Sequence, residues 1–174
     1  MKIGIITEMT IRLRMKDKFI YIISILIIVF VCLSCEKREA YYRFSELKDA
    51  SWSRLDTLYF DIDSISVPLN TPLDVTIELV NNSDYPYQNI WLYALDNFED
   101  SVFTLEEKQY ELADKLGKWH GSGFGSLYQL PLLYKKNVVF SEKRNYQLKI
   151  VHGMRDEPLL GIEKIGVKIE SAQN

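Results

Sequence analysis

An all-β fold, a single sandwich of jelly-roll or immunoglobulin-like type behind an N-terminal signal helix, is predicted by three features of this 174-residue chain. Apolar residues recur with period two in many short segments, as half-buried strands require. Turn-forming Gly, Pro, Asn and Asp separate those segments at intervals of roughly 8 to 12 residues, the spacing of a sandwich or barrel. After residue 34 no amphipathic stretch is long enough for a core helix.

The N-terminal segment comes first. Phe19 to Leu33 is dominated by Ile, Val, Leu and Phe and follows Arg12, Arg14, Lys16 and Lys18. A positive region followed by an apolar region is the pattern of a signal peptide. The apolar run is roughly 15 residues, short of the ~20 that span a bilayer. It stops at Leu33-Ser34-Cys35, and Glu36, Lys37, Arg38 and Glu39 follow. Cys35 therefore sits where lipoprotein processing leaves an acylated first residue, although Cys32 occupies a position where leucine is commoner. Residues 1–34 read as the signal peptide. Met15-Lys-Asp-Lys-Phe would open an ordinary signal peptide by itself, so residues 1–14 read as upstream sequence from a misassigned start. Residues 35–53 read as a lipidated tether, and residues 54–174 as the sandwich domain.

The whole chain carries 21 basic and 24 acidic residues. Five of the basic and two of the acidic ones precede Cys35, which leaves 16 against 22 in the mature part, a net charge of −6. Nucleic-acid binding needs clustered Lys and Arg and is excluded by that balance. The chain has two cysteines. With Cys32 removed and Cys35 acylated, none remains for a disulfide or a thiolate metal site.

The strands follow in order. Leu58, Phe60 and Ile62 alternate with Tyr59 and Asp61, and Val75, Ile77 and Leu79 alternate with Thr76 and Glu78. Residues 81–86, Asn-Asn-Ser-Asp-Tyr-Pro, form a turn. Ile90, Leu92 and Ala94 then point to one face and Trp91, Tyr93 and Leu95 to the other. Further strands are expected at 101–105, 109–113, 127–134, 137–140, 146–151 and 165–169.

Four segments resemble the GldH family of gliding-motility lipoproteins. They are Asn82-Ser-Asp-Tyr-Pro-Tyr with Asn89-Ile-Trp-Leu, residues 110–119 (Tyr-Glu-Leu-Ala-Asp-Lys-Leu-Gly-Lys-Trp), Gly121-Ser-Gly-Phe-Gly with Leu133-Tyr-Lys, and Met154-Arg-Asp-Glu-Pro-Leu-Leu-Gly-Ile. The resemblance implies a lipoprotein anchored in a cell-envelope membrane, expected to be the outer one, through N-terminal acyl chains. Its implied role is accessory to the gliding apparatus and type IX protein secretion, with other envelope lipoproteins or secretion and gliding components as partners and no catalytic activity. A glycan-binding envelope lipoprotein that uses exposed aromatics on one sandwich face is the alternative.

The side chains that could carry chemistry are few. Gly121-Ser-Gly-Phe-Gly125 lacks the strand and helix that aim a phosphate loop, so its glycines read as a turn. His120 and His152 have no metal-ligand spacing, and Ser122, His120 and Asp114 lack a nucleophile-elbow sequence. Asp56, Asp61 and Asp63 lack the alternating oxygen ligands of a calcium loop. No catalytic residue, metal or cofactor is expected. Tyr85, Tyr87, Trp91, Trp119 and Phe124, with Arg155 in a charged turn, are the expected partner or glycan contacts. Asp56-Thr57-Leu58, Asp63-Ser64-Ile65 and Asp100-Ser101-Val102 match an acceptor pattern for periplasmic O-glycosylation, which makes Thr57, Ser64 and Ser101 expected acceptors.

Overall fold

The computed structural model describes residues 39–172, so the expected signal peptide and Cys35 lie outside the described residues. Ten strands account for nearly all regular structure: β1 (Glu39–Glu46), β2 (Ser51–Trp52), β3 (Leu58–Ile62), β4 (Pro72–Asn82), β5 (Asn89–Asp96), β6 (Thr104–Glu111), β7 (Leu127–Val139), β8 (Tyr146–His152), β9 (Leu159–Leu160) and β10 (Ile162–Ser171). A single 3-10 turn at Lys48–Ala50 is the only helical element among the described residues. The all-β expectation holds, and every strand pair is antiparallel.

Two four-stranded sheets run in the orders β1-β10-β4-β7 and β3-β8-β5-β6, and β2 pairs with β9 in a two-residue ladder. Apart from those short strands, the first strand lies beside the last and the chain alternates between sheets except at the β5–β6 hairpin, which is the strand order of a jelly roll. An immunoglobulin-like order pairs the first strand with the second. Alternation alone did not separate the two, because it fixes which face a residue takes and not which strand is its neighbour.

One apolar cluster receives side chains from both sheets. Val75, Ile77, Leu79, Ile165, Val167 and Ile169 come from the first, and Phe60, Ile62, Ile90, Leu92, Leu148 and Ile150 from the second. Each such side chain contributes about 1.5–3 kcal/mol by leaving water. Gly161, at φ +87°, has Tyr85 N only 2.4 Å from where a Cβ would lie, so the β9–β10 corner requires glycine.

The tether expected over residues 35–53 is corrected, because residues 39–53 are folded. β1 pairs along β10 from Glu39↔Glu170 to Glu46↔Lys164, while Tyr41, Leu47 and Trp52 enter the core. Aromatic residues on both faces of β1, Tyr41 inward and Tyr42 and Phe44 outward, hide its period-two signal. The strands expected at 101–105 and 109–113 are one strand, β6, and those expected at 127–134 and 137–140 are one strand, β7. Asn137, at φ 55°, marks the place where β7 looked broken.

The register gives this domain two ends. Across β10, β1 begins level with the start of β4 and ends level with its finish, where the loop to β5 departs. Its eight residues separate the entry end from the far end by about 25 Å.

Side chains link the sheets where β6 faces β7. Lys108 Nζ donates to Tyr134 O, and Tyr110 Oη donates to Leu133 O at 3.3 Å. Lys135 Nζ lies 2.7 Å from Asp96 Oδ2 and 3.2 Å from Glu106 Oε1, and the Tyr134 hydroxyl donates to buried Asp96. Burial, reinforced by Asp96, raises the Tyr134 phenol well above its ordinary value. Burial alone would lower the Lys135 ammonium, but hydrogen bonds and charge from Asp96 and Glu106 outweigh it and hold that ammonium above its ordinary value. Tyr110 is pushed up to about 12 by burial and then by Glu106.

Candidate functional site

β5 reads Asn-Ile-Trp-Leu-Tyr-Ala-Leu-Asp and is apolar on both faces. Ile90, Leu92 and Ala94 fill the core, so Trp91, Tyr93 and Leu95 stand on the outer face of the second sheet. An antiparallel sheet with one face on a core normally turns polar residues outward. Here the register lines up Tyr59, Lys149, Leu95 and Leu105 in one row across the sheet, and Val151, Tyr93 and Glu107 in the next. Tyr59 is 60% and Leu105 57% exposed. Lys149 Nζ sits 3.8 Å from the Phe103 ring centroid and 5.9 Å from that of Tyr59, which makes its stem part of the apolar strip.

At the far end the strip opens into a groove of ≈ 370 Å³ lined by Tyr87, Asn89, Trp91, Glu107, Gly153, Met154 and Arg155. Met154 is buried, and its sulfur accepts the Trp91 backbone N–H at 3.3 Å. The loop beyond it is fastened from the chain before β3. Arg54 donates to Met154 O at 2.9 Å and Arg155 O at 2.8 Å, and Glu157 accepts Ser53 Oγ at 2.7 Å and Arg54 N at 2.9 Å. Those two donors, Ser53 first, hold the Glu157 carboxyl below its ordinary value. Tyr87 Oη donates to Asp156 at 2.8 Å, a bond that raises the Tyr87 phenol. A second recess of ≈ 450 Å³ shares Asn89 with the first and adds Gln88, Gln109, Glu111, Lys115 and His120 among others.

Three of the six expected contact residues, Tyr87, Trp91 and Arg155, therefore meet in one groove. Tyr85 is buried, donates to Asn89 O at 2.8 Å, and packs 5.9 Å from Tyr87 and 6.3 Å from Trp119 between ring centroids. Trp119 is half-buried and packs 5.6 Å from Tyr128. Phe124 is 95% exposed at the tip of the glycine-rich loop and lines none of these recesses. That loop is a turn, with Gly125 at φ +66° and Leu127 O only 1.8 Å from where a Gly123 Cβ would lie. Tyr59, Leu105, Asn89 and Gln109 went unsingled in the sequence. The outward Trp91-Tyr93-Leu95 series was the signal that could have found the face they occupy.

The remaining candidates are dispersed. His152 is fully buried, edge-on to Trp52 at 5.3 Å, and burial lowers its pKa. Neither ring nitrogen makes a hydrogen bond of ordinary geometry, although the nearby Trp52 backbone weakly favours the protonated ring. Asp114 Oδ1 accepts the N–H groups of Leu116 and Lys118, which lower its carboxyl pKa and close a turn. Among the described residues no His, Cys, Asp and Glu side chains converge as a metal site. Ser64 and Ser101 each follow an aspartate whose Oδ1 accepts the N–H two residues on, at 2.9 Å to Ile65 and 2.7 Å to Val102. Thr57 is half-buried ahead of β3 without that turn.

Residues 39–169 match the family model described as GldH lipoprotein. The chain belongs to the GldH lipoprotein family. A gliding motility lipoprotein GldH homolog from Christiangramia forsetii is 29% identical over 87% of this chain and 97% of that protein. The gliding motility lipoprotein GldH of Flavobacterium johnsoniae is 23% identical over 91% of this chain and 98% of that one. The family's lipoprotein character gives this GldH-family chain a lipid-anchored place at the cell-envelope membrane. Among solved structures, the infectious bursal disease virus VP2 subviral particle matches with a TM-score of 0.32 and 15% identity, over 79% of this chain and 32% of that one. A likeness of that size carries no argument.

Proposed function

We propose that this GldH-family lipoprotein is a non-enzymatic accessory component of the gliding and type IX secretion apparatus, held at the outer membrane by acyl chains on Cys35. Its two sheets close on their shared core as a β-sandwich, and its work is docking to another envelope protein of that apparatus. The observation that carries this reading is the apolar strip on the outer face of the second sheet, where Tyr59 and Leu105 are left more than half exposed. An antiparallel sheet face of that composition marks an interaction surface. Acyl chains contribute about 0.8 kcal/mol per buried CH₂, enough for lasting attachment when two or more are present. Confinement to one membrane raises the effective concentration of partners, so each docking contact can be weak.

The test is affinity purification of the tagged protein from detergent-solubilised membranes, with Cys35→Ala and Tyr59→Glu/Leu105→Glu variants alongside. Gliding or secretion components recovered with the parent and lost with both variants would support the reading. Recovery unaffected by the double charge substitution would remove the outer face from it.

A further inference from the structure

We propose that the groove at the far end of the second sheet, with the recess beside it, binds a glycan chain, one sugar ring stacking on Trp91 and the next lying across Asn89 and Gln109. This goes beyond docking through Tyr59 and Leu105 and does not depend on it.

Sugar rings present a C–H face and a rim of hydroxyls that both donate and accept. A site for them combines an exposed aromatic plane with planar polar groups that can bond neighbouring hydroxyls in pairs. Trp91 is 36% exposed and supplies the plane. Around it stand the amides of Asn89, Gln88 and Gln109, the carboxylate of Glu107 and the guanidinium of Arg155. Among the described residues none of these side chains, nor the Trp91 indole N–H, makes a hydrogen bond or ion pair with the rest of the protein. Gln88, Glu107, Gln109 and Arg155 are exposed and Asn89 is half-buried, so these groups can turn toward a ligand without breaking an internal bond.

The site is also built in advance. Arg54 and Ser53 fix the Met154–Glu157 loop, and Gly153 lies so close to the Tyr93 ring (2.8 Å from a would-be Cβ) that the floor has little room to shift. Binding there loses little ordering entropy. The two recesses, ≈ 370 and ≈ 450 Å³, share Asn89 and so extend along a chain rather than around a single small molecule. The carboxylates of Glu107 and Glu111 oppose a phosphate chain. The abundance of amides and charge differs from the charge-poor centre of a protein interface. A neutral or lightly charged glycan fits both facts.

The test titrates the acylated protein in detergent micelles with β-1,4-linked hexaoses of glucose, mannose and N-acetylglucosamine, and with glycans released by mild acid from the producing cells' envelope. Calorimetry reports binding and tryptophan emission reports stacking. Saturable binding by at least one of these probes is expected. Trp91→Ala should weaken it about tenfold or more, and Gln109→Ala on the exposed edge strand roughly threefold. Phe124→Ala should leave it unchanged. Gln109→Ala keeps the proposal testable should Trp91→Ala impair folding. The proposal is overturned by no saturable binding to any probe, by binding that survives both groove substitutions, or by an envelope protein that occupies the groove while the glycans do not. The docking reading fails or stands separately, on the Tyr59→Glu/Leu105→Glu purification.

Discussion

Asp96→Asn changes the charge of the buried cluster between β6 and β7 without changing its shape. Asp96 Oδ1 accepts the Phe98 N–H at 3.0 Å, and Oδ2 accepts from the Tyr134 hydroxyl and from Lys135 Nζ at 2.7 Å. An amide keeps the first acceptor but puts an NH₂ group against an ammonium. Each lost charge-assisted bond is worth about 1.5–3 kcal/mol, and part of the Lys135 loss is recovered from Glu106 at 3.2 Å. The expected cost is about 3–4 kcal/mol, inside the ~3–5 kcal/mol range for breaking a buried pair. For a domain of this size that lowers Tm by about 10–15 °C. Urea unfolding followed by tryptophan fluorescence should show a lower midpoint at unchanged slope. The raised pKa values of Tyr134 and Lys135 add an alkaline signature. Above about pH 10 the unfolded chain releases protons that the folded chain retains, so their contribution is complete below that pH and is lost as pH rises. Asp96→Asn should flatten this alkaline limb. A cost below about 1 kcal/mol, or an unaltered limb, would refute the account of the cluster.

His152, whose pKa is lowered by burial, takes up a proton more readily unfolded than folded. Stability should be full above about pH 6.5 and fall as pH drops below it, and His152→Phe should reduce that fall in urea titrations between about pH 7 and 5. Gly161→Ala combines positive φ with a 2.4 Å contact to Tyr85 N, and should cost about 3 kcal/mol by the same assay. For O-glycosylation, the intact mass of the mature protein should exceed its acylated polypeptide mass and drop on Ser64→Ala and Ser101→Ala, whereas Thr57→Ala, lacking the aspartate turn, should leave it unchanged.

The strands that could be read from the sequence were those with one apolar face. β3 and β8 carry strict alternation, and both ends of each fall within a residue of where the pattern places them. β1 escaped because it is an edge strand with aromatics on both faces. β6 was read as two strands because its exposed edge holds Glu106, Glu107 and Lys108 in a row, which interrupts the alternation at its middle. The groove was half legible. Tyr87, Trp91 and Arg155 are residue types that mark recognition wherever they stand, while Asn89 and Gln109 become informative only once the register sets Gln109 opposite Trp91 and Asn89 opposite Glu111, so that both line one recess. Tyr85 and Trp119 show the opposite error, since an aromatic residue gives no sign in sequence of whether its ring caps a core or faces solvent.

The link between β6 and β7 bears on how such molecules share a crowded surface. Lipid-anchored chains diffuse in two dimensions and meet often, and a bare strand edge on each would invite them to zip into ribbons. β6 places the charged residues Glu106, Glu107, Lys108 and Glu111 along its free edge, and β7 carries Pro131, which offers no N–H to a visiting strand. Lys108 and Tyr110 occupy β7 carbonyls at Tyr134 and Leu133 from the side a newcomer would approach. This flank of the domain is closed to strand exchange, so neighbouring copies that meet by diffusion can separate again.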